Sequence, residues 1–205
     1  MNQENKILEL LSRIIDLLLL NFLFIITSIP IFTIGASLCA LYSVNLKMTR
    51  KEESYVIKDF FRSFRQNFRQ ATPSFFAFAA AFSLLGMNLW ISTQTGGTFS
   101  AVLRTVAGIF LLAVYICFLY YFPILARFQF TCRQVMMHIP HMILTWPGYF
   151  FTLILLNIPI FFFAFYSLYT AAALFIITCI IGASAFTYVE SLLFRKIFEK
   201  YERKS

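Results

Sequence analysis

The stretch LRTVAGIFLLAVYICFLYYFPIL, residues 103–125, decides the fold class. Its one charge, Arg104, stands next to its start. An α-helix rises about 1.5 Å per residue and the hydrocarbon layer is about 30 Å thick, so about 20 apolar residues cross it. In lipid the backbone must satisfy its own hydrogen bonds, and a helix does this within one segment. The period-two alternation of a barrel strand is not seen here. The stretch therefore reads as a transmembrane helix.

Working outward, residues 73–91, 143–165 and 170–189 repeat the pattern, rich in Phe, Leu, Ile and Ala with no charge in their middles. Residues 14–44 are apolar too, but too long for one ordinary span. Pro30 interrupts them, and a proline inside a helix removes a hydrogen bond and crowds the preceding turn. Two readings follow: one long kinked span, or a hairpin running out over residues 7–29 and back over 34–47. Pro30 and Gly35 stand where a hairpin needs its turn, which favours the second reading. The small residues Gly35, Ala36, Ser37, Cys39 and Ala40 would then let the second arm pack closely on the first.

Composition agrees. Hydrophobic residues make up 60% of the chain and charged ones 13%, with a mean hydropathy of +0.78. A soluble domain carries charge on about 25% of its residues, so this chain has too little polar surface to face water all round. The expectation is one domain over 1–205, an all-α transmembrane bundle of five or six spans. Cys39, Cys117, Cys132 and Cys179 show no short metal-site or disulfide spacing. The net charge of +8 would suggest nucleic acid on a soluble protein; on a membrane protein its position matters more, and no nucleic-acid partner is expected.

Basic and neutral connections alternate. Residues 47–72 hold Lys47, Arg50, Lys51, Lys58, Arg62, Arg65 and Arg69 against three acids. Residues 92–100 and 166–169 hold no charge, residues 127–142 hold Arg127 and Arg133, and the tail holds Arg195, Lys196, Lys200, Arg203 and Lys204. By the positive-inside rule the basic connections and the C-terminus lie in the cytoplasm. The long apolar run and mixed-charge start do not read as a cleaved signal peptide.

The most informative polar segment is YVIKDFFRSFRQNFRQAT, residues 55–72. On a helix, Phe60, Phe61, Phe64 and Phe68 share one arc and Lys58, Arg62, Arg65 and Arg69 another. The segment reads as a basic amphipathic helix lying in the inner interface, Phe in the acyl boundary and the cations near anionic headgroups, with Pro73 starting the next span. The plainer account is a Phe face packed under the bundle and a solvated basic face; a third is a handle for a partner protein.

Other candidates are fewer. His138 and His141 share a helix face, but Pro140 lies between them and no third ligand is close in sequence, so a structural role is favoured over a metal. Asp16, Arg104 and Glu190 stand near span ends, where snorkelling or a helix-end contact is the commoner role. Asn21, Asn88 and Asn157 lie deeper and could tie helices together or line a polar cavity. The tetrad I-G-A-S occurs at 34–37 and 181–184, but the surrounding spacing does not repeat. No H-E-x-x-H, G-x-S-x-G or phosphate-loop motif is found, so neither catalysis nor a cofactor is expected.

Four stretches together resemble the YesL family of bacterial membrane proteins: DLLLLNFLF (16–24), PIFTIGAS (30–37), ALYSVNLKMTRKEESY (40–55) and KDFFRSFRQNFRQAT (58–72). They cover about the first third of the chain. The resemblance implies a multi-pass protein of the bacterial cytoplasmic membrane, whose genes tend to sit beside carbohydrate uptake systems of the ABC type. It implies no activity and no site residues. The functional expectation is a non-catalytic accessory or scaffold of sugar uptake or sensing, with an ABC-type sugar transporter or another membrane protein as partner. The alternative is a small-solute transporter or channel, and a membrane enzyme comes last.

Overall fold

The computed structural model describes residues 3–50, 52, 55–128 and 130–202. Lys51, Arg203 and Lys204, counted in the charge pattern, lie outside the described residues. The chain is all-α: α1 (Gln3–Ser28), α2 (Ile34–Thr49), α3 (Val56–Gln94), α4 (Thr98–Arg127), α5 (Cys132–Thr145), α6 (Pro147–Tyr166), α7 (Leu168–Ile177) and α8 (Ala183–Glu202). A short 3-10 turn, Ile31–Thr33, precedes α2, and a π turn, Thr178–Gly182, joins α7 to α8. Among the described residues, six helical segments are long and apolar enough to cross a membrane.

The helix breaks at Pro30, as the hairpin reading expects. Hydroxyl groups satisfy the carbonyls that the break frees. Thr33 Oγ1 donates to the carbonyls of Thr27 and Pro30, and Ser37 Oγ donates to Thr27 Oγ1 at 3.0 Å. Two spans, 31–49 and the one before it, replace the single kinked one.

Three boundaries differ from the sequence reading. Pro73 does not start a helix but lies inside α3, which runs unbroken through it. Membrane helices tolerate an internal proline; one residue on, Ser74 Oγ donates to the Gln70 carbonyl at 2.8 Å. Residues 143–145 belong to α5; the next span opens at Pro147, a residue suited to the first turn of a helix. The last candidate span, Leu168–Tyr201, continues past Val189 along α8.

The small residues of α2 explain why it is the central helix. Its Gly35, Ala36, Ser37, Cys39 and Ala40 are all buried but do not serve α1 alone. A Cβ on Gly35 would meet the Ala71 carbonyl oxygen and lie 2.8 Å from Phe75 Cβ, so this glycine lets α2 touch α3 backbone to backbone. One core gathers Tyr120, Tyr121, Phe122, Phe194 and Phe198 around Cys39, Tyr42 and Leu46 of α2. A second holds Leu20, Ala40, Leu41, Val44, Val56 and Phe60.

Candidate functional site

Two polar features stand out against this apolar frame. The first is closed and lies between helices. Glu190 of α8 is 1% exposed. Tyr42 of α2 donates its hydroxyl to Glu190 Oε2, and Asn157 of α6 donates Nδ2 to Oε1 at 3.1 Å. Tyr115 of α4 donates in turn to Asn157 Oδ1 at 2.9 Å. Three helices thus meet on one carboxyl group, and α4 joins them through Asn157. A buried carboxyl without hydrogen bonds would be very costly, which is why a phenol and an amide converge on it. The sequence reading placed Glu190 within reach of an interface; the structure buries it. Only its neighbours on other helices, Tyr42 and Asn157, carry the signal, and neither is close to it in the chain.

A neighbouring group holds α1 and α2 to α8. Asn21 Nδ2 donates to the carbonyls of Thr178 (3.3 Å) and Cys179 (2.9 Å), while Asn21 Oδ1 accepts from the backbone N–H of Ser184 at 3.1 Å. One amide side chain therefore satisfies both ends of the π turn. Asn45 Nδ2 donates to Thr187 Oγ1 at 2.7 Å and to the Ser184 carbonyl at 3.2 Å. Asn21 and Asn157, both buried, thus belong to different hydrogen-bonded groups, and Asn88 is exposed on α3. The three do not share one environment.

The second feature is open. A cavity of about 560 Å³ is lined by two polar stripes. Ser43, Lys47 and Arg50 follow one face of α2, with Leu46 among them; Asp59, Arg62, Ser63, Gln66, Asn67 and Gln70 follow one face of α3. Both stripes step by three and four residues, the spacing of one helix face. The C-terminal end of α4, Leu125 to Phe128, lines the cavity as well. Lys47 Nζ lies 2.8 Å from Asp59 Oδ1, and Arg50 Nη1 3.6 Å from Glu52 Oε1. The α3 stripe runs between the Phe and cation arcs of residues 55–72. A two-way split into aromatic and basic faces hides it, although its polar residues recur at helical spacing.

The amphipathic segment keeps its two faces. Phe60 is fully buried, Phe64 and Phe68 are half-buried, and Phe61 is 40% exposed. Lys58, Arg62, Arg65 and Arg69 are all exposed. Phe60 packs into the core beside Leu20 and Leu41. His138 stacks on Phe130 with ring centroids 4.7 Å apart, and its Nδ1 lies 3.2 Å from the Tyr201 hydroxyl. Among the described residues no cluster of three or more metal-binding side chains occurs.

Cys132, at the start of α5, is exposed and lies 3.6 Å from Ser74 Oγ. Partial burial pushes its thiol up, but hydrogen bonds with Tyr121, Ser74 and Gln70 outweigh this and hold it below the ordinary thiol value.

The model of a family described as "Protein of unknown function, DUF624" matches residues 17–89. That segment runs from α1 through most of α3, so it includes Tyr42 and both helical stripes of the cavity but not Asn157 or Glu190. No curated protein and no solved structure matches the chain.

Proposed function

We propose that this multi-pass membrane protein is a non-catalytic accessory, a scaffold that binds a carbohydrate uptake or sensing system of the ABC type in the bacterial cytoplasmic membrane. One observation carries the reading. Tyr42, Tyr115, Asn157 and Glu190 are hydrogen-bonded to one another, tying four helices into a frame. A solute path would need such groups turned toward a passage. The kind of partner comes from the resemblance of the first third of the chain to the YesL family, with its gene neighbours. On this reading Lys58, Arg62, Arg65 and Arg69 face anionic headgroups, and Phe60, Phe61, Phe64 and Phe68 face the bundle or the acyl boundary.

The test is isolation of the tagged full chain from its native membrane in mild detergent. An ABC-type sugar transporter should be retained in fixed ratio. Proteoliposomes holding the chain alone should show no sugar flux above empty vesicles. Flux by the chain alone would replace the scaffold with a transporter, for which the cavity between α2 and α3 would be the first place to look.

A further inference from the structure

Two opposite charges face one cleft between α1 and the start of α3 without meeting. Val56 and Phe60 of α3 are buried with Leu20 of α1 in one core, which sets the start of α3 against α1. Asp16 and Leu19 of α1 and Tyr55, Val56, Ile57 and Lys58 then line an open cleft of about 740 Å³. Among the described residues, neither Asp16 nor Lys58 makes a hydrogen bond or an ion pair. Arg13, one turn before Asp16, is directed to α8, where it donates to the Tyr188 hydroxyl at 3.1 Å. Asp16 belongs to the candidate span Leu10–Ser28, and its chain neighbour Ile15 and Leu18 beside Leu19 are both exposed. The cleft therefore opens beside the acyl layer. A carboxylate at that place is costly unless a cation reaches it. Tyr55, also exposed, suits headgroup depth, where a ring with a polar tip is at home.

We propose that this cleft seats the headgroup of an aminophospholipid, phosphatidylethanolamine. Asp16 accepts from the lipid's primary ammonium, Lys58 donates to its phosphate, and an acyl chain runs along Ile15 and Leu18. One zwitterion thus satisfies an acid and a base that do not satisfy each other. The site goes beyond the scaffold reading and does not depend on it. It also differs from attraction of the basic arc to anionic lipid, because it needs a carboxylate and takes a lipid of no net charge. Phosphatidylcholine supplies the control. It carries the same charges, but its quaternary ammonium has no N–H to donate to Asp16. General attraction to a charged surface treats the two lipids alike, so a preference between them reports the bond to the carboxylate.

The experiment uses the full chain in nanodiscs holding phosphatidylethanolamine and phosphatidylcholine in equal amounts. Lipid retained by the protein is counted by mass spectrometry. Phosphatidylethanolamine should be retained saturably and preferred about ten-fold, the usual scale for one hydrogen bond between charged groups. Asp16→Asn, which keeps the shape, should bring the preference to within about two-fold. Lys58→Gln should lower retention of phosphatidylethanolamine about ten-fold, and Arg65→Gln, on the exposed basic arc, should leave it within about two-fold. No preference in the unaltered chain overturns the proposal, as it would if Lys58 swings onto Asp16 and closes the cleft. So does a preference that survives Asp16→Asn. So does an equal loss from Lys58→Gln and Arg65→Gln, which would mean general attraction to a basic surface. In discs of phosphatidylcholine alone, free phosphoethanolamine should give no saturable heat; saturable heat that Asp16→Asn removes would overturn the lipid in favour of a soluble zwitterion.

Discussion

At Glu190 a single side chain holds the ends of two others, which makes its replacement informative. Leu would leave the Tyr42 hydroxyl without an acceptor, and with it one of the two Asn157 amide N–H groups, the other keeping the Leu153 carbonyl. Each buried orphan costs about 1–3 kcal/mol. Gln keeps the shape: its oxygen can accept from Asn157 and its amide can donate to the Tyr42 oxygen once that hydroxyl turns. Glu190→Leu should therefore lower the unfolding temperature in detergent clearly, and Glu190→Gln much less. Equal losses would mean that the carboxyl itself, not its hydrogen bonding, is what the frame needs. Gly35 tests packing in the same way. Gly35→Ala should destabilise by roughly 1–3 kcal/mol, because its Cβ would meet the α3 backbone. Gly86→Ala, with open space around it, should be neutral or slightly stabilising. Cys132 gives a pH readout. A thiol below its ordinary value reacts at lower pH than a free one, since the thiolate is the nucleophile. Tyr121→Phe removes a hydrogen bond that lowers it, so iodoacetamide labelling of Cys132 should move to higher pH, with the other three cysteines replaced by Ala. An unchanged profile would show that Tyr121 does not tune this thiol.

Among the elements, α3 shows best what could and could not be read in advance. Its length is 39 residues, about 58 Å at 1.5 Å per residue, far beyond the hydrocarbon layer. Hydropathy marks the apolar half and the Phe and cation arcs mark the other half, so both halves are legible. That they form one helix is not, because Pro73 is a breaker by local rules and only neighbouring groups decide otherwise. Pro73→Ala restores an amide hydrogen to a helix that is already continuous. It should be neutral or stabilising by about 1 kcal/mol. A clear loss of thermal stability would mean that a bend at Pro73 is required for packing. The hairpin at Pro30 was legible for the opposite reason: Pro30 and Gly35 fall close together in a run too long for one span. Of α5 only the shared helix face of His138 and His141 was legible; that Cys132–Thr145 forms one helix was not marked in this basic connection. The carboxyl frame was least visible, since Tyr42, Tyr115, Asn157 and Glu190 sit far apart in sequence and converge only through packing.

For the whole molecule, span count and charge pattern make a joint claim. Six crossings return the chain to its starting side and sort its connections into two sets. The turns at 29–33, 95–97 and 167 carry no charge, whereas the connections at 50–55 and 128–131 adjoin Lys47, Arg50, Arg127 and Arg133, and the tail is basic. With five crossings the turn at Pro30 would vanish into a span, and the charged N-terminus would join the turns at 95–97 and 167 on the neutral side. The hairpin thus places every neutral turn together, as the cost of moving Lys and Arg across the bilayer requires. Single cysteines read this out, with Cys39, Cys117, Cys132 and Cys179 removed. Gly96→Cys has open space around it and lies between α3 and α4. It should react with an impermeant thiol reagent in intact cells. Gln3→Cys, Glu52→Cys and Ser205→Cys should react only after the cells are opened. Labelling of Gln3→Cys from outside, with Ser205→Cys protected, would restore five crossings. Labelling of Ser205→Cys and Gln3→Cys from outside, with Gly96→Cys protected, would keep the six spans and invert them, and the cavity between α2 and α3 would then face away from the cytoplasm.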